Sequence, residues 1–240
     1  MLTVLTPTCD RPAGLALAER WMARQSTQPD EWIVADGGSR PATCRARQIH
    51  IHRRDGGVGA NNFVRNLLAG LDAVHPDCTR LIFWEDDDWY AADHLAATLA
   101  LLDGSTAPWI VGDPVQRYYN VGIRRYRCYP NKGAALSQTG LAAAAFPHLR
   151  AVLTTCLTAA SYGVDGRLWV PMLIGQMCGI LSPMQTVVGI KGLPGQVGLG
   201  VGHRPAIIAK WTADPALTTL REWIGADADV YAAHQQRQGG

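Results

Sequence analysis

Leu81-Ile82-Phe83-Trp84-Glu85-Asp86-Asp87-Asp88 is a compact apolar run that passes without a break into four carboxylates. The apolar half reads as a buried strand. The acidic half repels itself, and a strand end cannot pair four adjacent carboxylates locally. A hard divalent cation with oxygen ligands, Mn²⁺ or Mg²⁺, relieves that repulsion. Alternate residues of an extended segment point the same way, so Asp86 and Asp88 are the expected metal-facing pair. The other reading is an acidic helix N-terminus favoured by the macrodipole, which accounts for one or two carboxylates but not four.

Strand-like segments precede this run, each ending in polar residues. Leu2–Thr6 is stopped by Pro7-Thr8; Trp32–Ala35 ends in Asp36-Gly37-Gly38-Ser39; Gln48–His52 alternates as a third strand. Helices are expected over about 13–24 and 60–74, where Val64, Leu67, Leu68 and Leu71 recur at helical spacing, and again at Leu95, Leu99 and Leu102. Alternating strands and helices predict an α/β fold: one Rossmann-like domain with a mostly parallel central sheet flanked by helices. Ligands then bind beyond the carboxyl ends of the strands, at Thr6-Pro7-Thr8, Asp36-Gly37 and Glu85–Asp88.

The second half is less regular. A strand is expected at Trp109–Val111 and a hairpin where Tyr118, Tyr119, Tyr126 and Tyr129 flank Gly122. Helices are expected over 139–146, 166–176 and 215–224, with a strand at 184–190. The predicted organisation is a nucleotide-binding half, 1–105, an acceptor half, 106–234, and a frayed tail, 235–240. The glycine-rich segment 192–202 has neither P-loop nor G-x-G-x-x-G spacing and reads as a flap over a ligand.

With 48% hydrophobic and 18% charged residues, the 240-residue chain is too apolar for wholesale disorder. Six cysteines without a C-x-x-C pair fit a reducing compartment rather than a zinc knuckle or a disulfide framework. The N-terminus has no signal-peptide pattern, and the apolar stretch 168–181 falls short of the roughly 20 residues that span a bilayer. A soluble cytoplasmic protein is expected; oligomeric state is not legible. The formal charge is only +2, yet 114–162 contains no acid and carries Arg117, Arg124, Arg125, Arg127, Lys132 and Arg150. This is either a cationic face for an anionic ligand or a plain solvated surface.

Three motifs in order, Pro7-Thr8-Cys9-Asp10-Arg11-Pro12, then Asp36-Gly37-Gly38-Ser39, then Glu85-Asp86-Asp87-Asp88, resemble the GT-A glycosyltransferases of the family 2 type across about 2–102. The resemblance implies metal-dependent, inverting transfer of a sugar from a nucleotide-diphosphate sugar, such as a UDP-sugar, to an acceptor hydroxyl. It places Pro7, Thr8, Arg11 and Asp36 around the nucleoside, although Asp36 also suits a turn cap. Arg65, beside Asn66, sits where the family carries a nucleotide-facing Arg-Asn, unless it is a snorkelling surface arginine. Asp86 and Asp87 would lie near the diphosphate, and Lys191 and Arg204, at the ends of the glycine segment, would meet it. His203 stands where the family supplies a further metal ligand.

An inverting transfer needs a base, and Asp165 is the candidate because the family places an acid there. A helix cap is the other reading for Asp165, and Asp113 is the second choice of base. The acceptor is open between a glycan or lipid-linked sugar and an anionic polymer, including DNA with hydroxymethylated bases. Two other functions fit four acids at a strand end: a nucleotidyltransferase, or a non-catalytic, metal-dependent sugar- or nucleotide-binding module. The first of these should carry a glycine-rich loop after its first strand, which Thr6–Pro12 is not.

Overall fold

The structure, a computed structural model, describes residues 1–43, 48–52, 62–159, 163–193 and 204–236. Its first half follows the expected alternation: β1 (Leu2–Thr8), α1 (Pro12–Ala23), β2 (Glu31–Asp36), β3 (Gln48–His52), α2 (Asn62–Ala73), β4 (Arg80–Phe83), β5 (Trp89–Tyr90) and α3 (His94–Leu102). Then come β6 (Ile110–Gly112), β7 (Val115–Asn120), β8 (Arg125–Pro130), β9 (Thr139–Ala142), α4 (Phe146–Thr158), α5 (Val164–Leu173), β10 (Gly179–Leu181) and β11 (Val187–Lys191). The chain closes with α6 (Pro205–Ile208), β12 (Thr212–Ala213), α7 (Thr218–Ile224) and α8 (Ala228–Gln236).

A seven-stranded sheet runs in the order β10-β6-β9-β4-β1-β2-β3. β1 pairs in parallel with both β2 and β4, β2 with β3, and β10 with β6. Only β9 is antiparallel to its neighbours, β4 and β6. A second sheet, β12-β8-β7-β11-β5, stands against the carboxyl end of the first.

Period-2 alternation divides the strand residues between two cores. Val4, Trp32, Val34, Ile82 and Trp84 pack with α1, α7, α8 and the second sheet. Leu5, Ile33, Ala35, Leu81 and Phe83 pack with α2, α4 and α5. Both faces are therefore covered, which explains why these strands read as continuous apolar runs. Gly70 lets α2 lie directly on β1: a Cβ there would meet Leu5 Cδ1 at 2.1 Å.

Several sequence-based expectations shift, among them the strand at 184–190, which is Val187–Lys191. Residues 139–146 are not a helix. Thr139–Ala142 is strand β9, with Leu141 in register with both Leu81 and Ile110, and the helix begins at Phe146 with Pro147 in its first turn. Pairing with two strand edges outweighs the helix propensity of the alanine run. Leu149, Val152, Leu153 and Cys156 then form the buried stripe of α4. The helix expected at 166–176 is Val164–Leu173, and β10 follows it. The closing helix starts at Thr218, and the tail expected to fray from 235 continues in α8 to Gln236. The glycine segment beyond Leu193 lies outside the described residues.

Candidate active site

The carboxyl ends of β1, β2 and β4 converge, as parallel pairing requires, and hydrogen bonds lock their loops together. Pro7 is not in a turn: β1 stays extended through Thr8, with Pro7 opposite Ala35 and Thr8 opposite Asp36. Thr8 Oγ1 donates to Asp86 Oδ2 at 2.6 Å, and the Thr8 carbonyl accepts from Gly37 N and from Asn66 Nδ2. On α2, therefore, buried Asn66 reaches the strand ends, whereas Arg65 is exposed.

The two oxygens of Asp36 accept backbone N–H bonds from Gly38 (2.7 Å) and Ala42 (2.8 Å), so its carboxylate caps the β2 turn. Asp10, at φ 50°, takes the amide and hydroxyl of Ser39 on one oxygen. A Cβ at Gly38 would lie 2.9 Å from Asp10 N and from Asp36 Oδ1, so only glycine fits between these loops. Together they form a rigid cradle beside the acidic run.

The acidic run itself turns sharply between β4 and β5. Glu85 N donates to Tyr90 Oη, while the Trp84 and Tyr90 rings stack at 3.7 Å. This turn sorts the four carboxylates differently from simple alternation. Glu85, Asp87 and Asp88 bring ligand oxygens within 4.8 Å of one another. Asp86 is engaged instead by Thr8 and by Arg11, whose Nη1 lies 3.1 Å from Asp86 Oδ1.

Two cations enter the cluster. Arg11 also approaches Asp87 Oδ2 at 3.5 Å, and Lys191 Nζ lies at the same distance from that oxygen and 3.2 Å from Asp88 Oδ1. Asp88 Oδ1 further accepts from Ile190 N, and the Ser137 hydroxyl bonds the same carboxylate. Ser137 carried no sequence signal: it reaches the site only because β9 enters the sheet beside β4.

Burial pushes the Asp86 carboxyl up to about 6 against the opposing pull of Arg11, and it pushes Asp88 up to about 6 against Lys191. Burial and the Asp88 charge raise Glu85 as well. Burial disfavours the Lys191 charge, but Asp87, Asp88 and Glu85 outweigh it and hold the ammonium protonated.

Asp165 lies in the first turn of α5, half-buried, and burial raises its carboxyl. Its charge contributes to raising Glu85, Tyr129 and Cys156. The two oxygens of Asp113 accept from Val115 N (2.8 Å) and Gln185 N (2.6 Å), bracing the end of β6. Arg204 is exposed, and His203 lies outside the described residues.

The acid-free stretch turns part of its positive charge to internal partners, while Arg127, Lys132 and Arg150 stay exposed. Arg117 is buried against the carbonyls of Gln185 and Val187, Arg124 donates to the Pro215 carbonyl, and Arg125 to those of Ala209 and Trp211. Arg127 lies over the Tyr129 ring, and Arg150 pairs with Asp72. Arg124 and Arg125 tie the second sheet to the C-terminal segment.

Comparison with solved structures gives the same architecture. The mannosyltransferase PcManGT from Pyrobaculum calidifontis, in complex with GDP-Man and Mn²⁺, superposes with a TM-score of 0.53 over 98% of this chain and 73% of its own, at 13% identity. A 1–349 fragment of S. aureus TarS, in complex with UDP, gives 0.52 over 79% of this chain and 60% of its own, at 12% identity. This protein has a GT-A fold. A longer TarS chain matches over 50% of this protein, and the match spans only 21% of that TarS. No family model and no curated protein sequence matches the chain. The GT-A frame expected from the three motifs is thus present, with Thr8, Asp36 and the acidic run at its strand ends. Among the described residues, no helix is long and apolar enough to cross a membrane.

Proposed function

We propose that this protein transfers a sugar from a nucleoside-diphosphate sugar to an acceptor hydroxyl, with inversion. The observation that carries this reading is the Glu85, Asp87, Asp88 cluster at the carboxyl ends of parallel strands in a GT-A fold. Similar folds in complex with GDP-Man and Mn²⁺, and with UDP, support the donor class.

Three carboxylates with oxygens within 4.8 Å are a hard, anionic donor set that fits Mn²⁺ or Mg²⁺. A divalent cation there would neutralise the departing diphosphate. The chain's own residues do the rest. The cradle of Thr8, Asp10, Asp36 and Gly38 holds the nucleoside by backbone and turn groups. Asp86, tied to Thr8 and Arg11, sets the position of the acidic turn. Arg204 meets the diphosphate, as Lys191 does once freed, and His203 remains a further candidate ligand. Asp165 takes the proton from the acceptor hydroxyl as its oxygen bonds the anomeric carbon, while the bond from that carbon to the diphosphate oxygen breaks. A carboxyl raised by burial suits a base working near neutral pH.

A glycan or lipid-linked sugar is the favoured acceptor class. A DNA acceptor rested on the cationic face, and the arginines of that stretch are largely committed to internal partners. The experiment is to incubate the protein with Mn²⁺ or Mg²⁺ and a panel of nucleotide sugars, then measure free nucleoside diphosphate. Nucleoside diphosphate release supports the proposal. Pyrophosphate release would identify a nucleotidyltransferase, and no release with any donor and acceptor would leave a binding module.

A further inference from the structure

Lys191 is the last residue of β11, and it enters the acidic cluster from the second sheet. Its backbone is fixed there: the Lys191 carbonyl accepts from Val121 N at 2.8 Å, and β11 pairs in parallel with β7 so that Lys191 stands opposite Asn120. Its ammonium, 3.2 Å from Asp88 and 3.5 Å from Asp87, is bound to two of the three carboxylates that make up the metal-ligand set. Lys191 is only 8% exposed. A divalent ion seated between Asp87 and Asp88 would lie beside the ammonium that holds one oxygen of each, and two cations so close repel each other strongly. The side chain has four rotatable bonds and a second cation-binding surface close by, since Nζ lies 6.0 Å from the centroid of the Tyr118 ring.

We propose that Lys191 is a tethered counter-ion, which stabilises the metal-free acidic cluster and which a divalent cation must displace from Asp87 and Asp88. The inference rests on the metal-binding reading of the cluster but not on sugar transfer. Without metal, removing the ammonium leaves buried carboxylates with Arg11 as their remaining cation among the described residues, so the metal-free fold weakens. With metal, removing it takes away a competitor, so binding tightens. A lysine that served only as packing or as a phosphate contact would not link the two effects.

The test uses the intact protein and Mn²⁺ alone, with no nucleotide sugar, reading free Mn²⁺ by electron paramagnetic resonance. Lys191→Met is expected to bind Mn²⁺ at least tenfold more tightly than wild type, to melt lower without metal, and to gain more in Tm on adding it. Lys191→Arg, which keeps the charge, should stay near wild type. Equal or weaker binding by folded Lys191→Met overturns the proposal, and so does the absence of Mn²⁺ binding in all three proteins. If Lys191→Met does not fold, the wild type decides: acetylation of Lys191 by a water-soluble acylating reagent, read by peptide mass spectrometry, should rise several-fold on adding Mn²⁺. Unchanged or reduced labelling overturns the proposal. Because no donor is present, failure of the transferase reading would appear separately, as absent nucleoside diphosphate release.

Discussion

Thr8 and Asp86, 78 residues apart in sequence, are joined by a buried hydrogen bond of 2.6 Å between the hydroxyl and the carboxylate. The bond ties the end of β1 to the acidic turn after β4. Thr8→Val keeps the shape and removes the donor, leaving Asp86 with Arg11 alone. The expected cost is about 1–3 kcal/mol of stability, measured by urea unfolding, because a buried acceptor loses its partner. A variant as stable as wild type would show that the bond does not hold the turn.

Asp88 is the hub of the cluster, accepting from Lys191, Ile190 and Ser137. Asp88→Asn should lose Mn²⁺ binding and reduce transfer on the order of a hundredfold or more, since metal stabilisation of the leaving group is worth several kcal/mol. Calorimetric titration with Mn²⁺ checks the first effect independently of the second. Wild-type Mn²⁺ affinity in the variant would remove Asp88 from the ligand set.

Asp165 and Asp113 are chemically identical and should separate cleanly. Asp165→Asn should lower turnover by about 10²–10⁴-fold with little change in Tm, as expected for loss of a base. Asp113→Asn should instead melt lower by the equivalent of about 1–3 kcal/mol, because an amide cannot accept from both Val115 N and Gln185 N. Its turnover per folded molecule should stay near wild type. The opposite pattern would exchange the two assignments.

The first half was legible because its signals are local. Each strand ends in residues whose chemistry differs from its body, and Asp36-Gly37-Gly38-Ser39 and Glu85–Asp88 stand where the sheet places them. What was hidden depends on tertiary pairing. The alanine-rich run at 141–145 has helix propensity, yet Leu141 fills the space between Leu81 and Ile110 as a strand. Alternation pairs Asp86 with Asp88, but the turn braced by Tyr90 on Glu85 N rotates Asp86 towards Thr8 and Arg11. The run of arginines suggested a field, and the partners that occupy it are carbonyls up to 91 residues away.

His94, packed on the Trp84 and Tyr90 rings, gives the fold a pH dependence of its own. It is fully buried, its Nδ1 is 2.8 Å from Thr186 Oγ1, and burial lowers its pKa to about 3 from 6.5. The unfolded chain binds a proton near pH 6.5 that the folded protein refuses. The contribution is thus complete above pH 6.5 and is lost as pH falls towards 3, costing about 2 kcal/mol by pH 5. Urea unfolding of wild type and His94→Phe at pH 7 and 5 checks this: the variant should lose less stability over that interval. Equal losses would assign the acid sensitivity to other groups.

Duplex DNA should not be shifted in a gel at about 150 mM salt, where surface charges more than roughly 8 Å apart are screened. Arg117, Arg125 and Arg150 are held by the protein's own groups rather than arrayed for phosphates. Retention of the complex at that salt would restore an anionic polymer as acceptor.

Strand β9 has a consequence for how the molecule can be divided. The chain looks separable near residue 105, after the last helix of the alternating half, but β9, β6 and β10 from beyond that point complete the sheet on the open edge of β4. A fragment ending there would carry a bare strand edge and the uncovered side of Leu81 and Phe83, a template for pairing with its own copies. The two pieces, made separately and mixed, should instead find each other, with the acidic turn complete only where Ser137 and Lys191 arrive from the second piece. The molecule is therefore a natural candidate for a split reporter, whose signal would report the rejoining of β9 to β4.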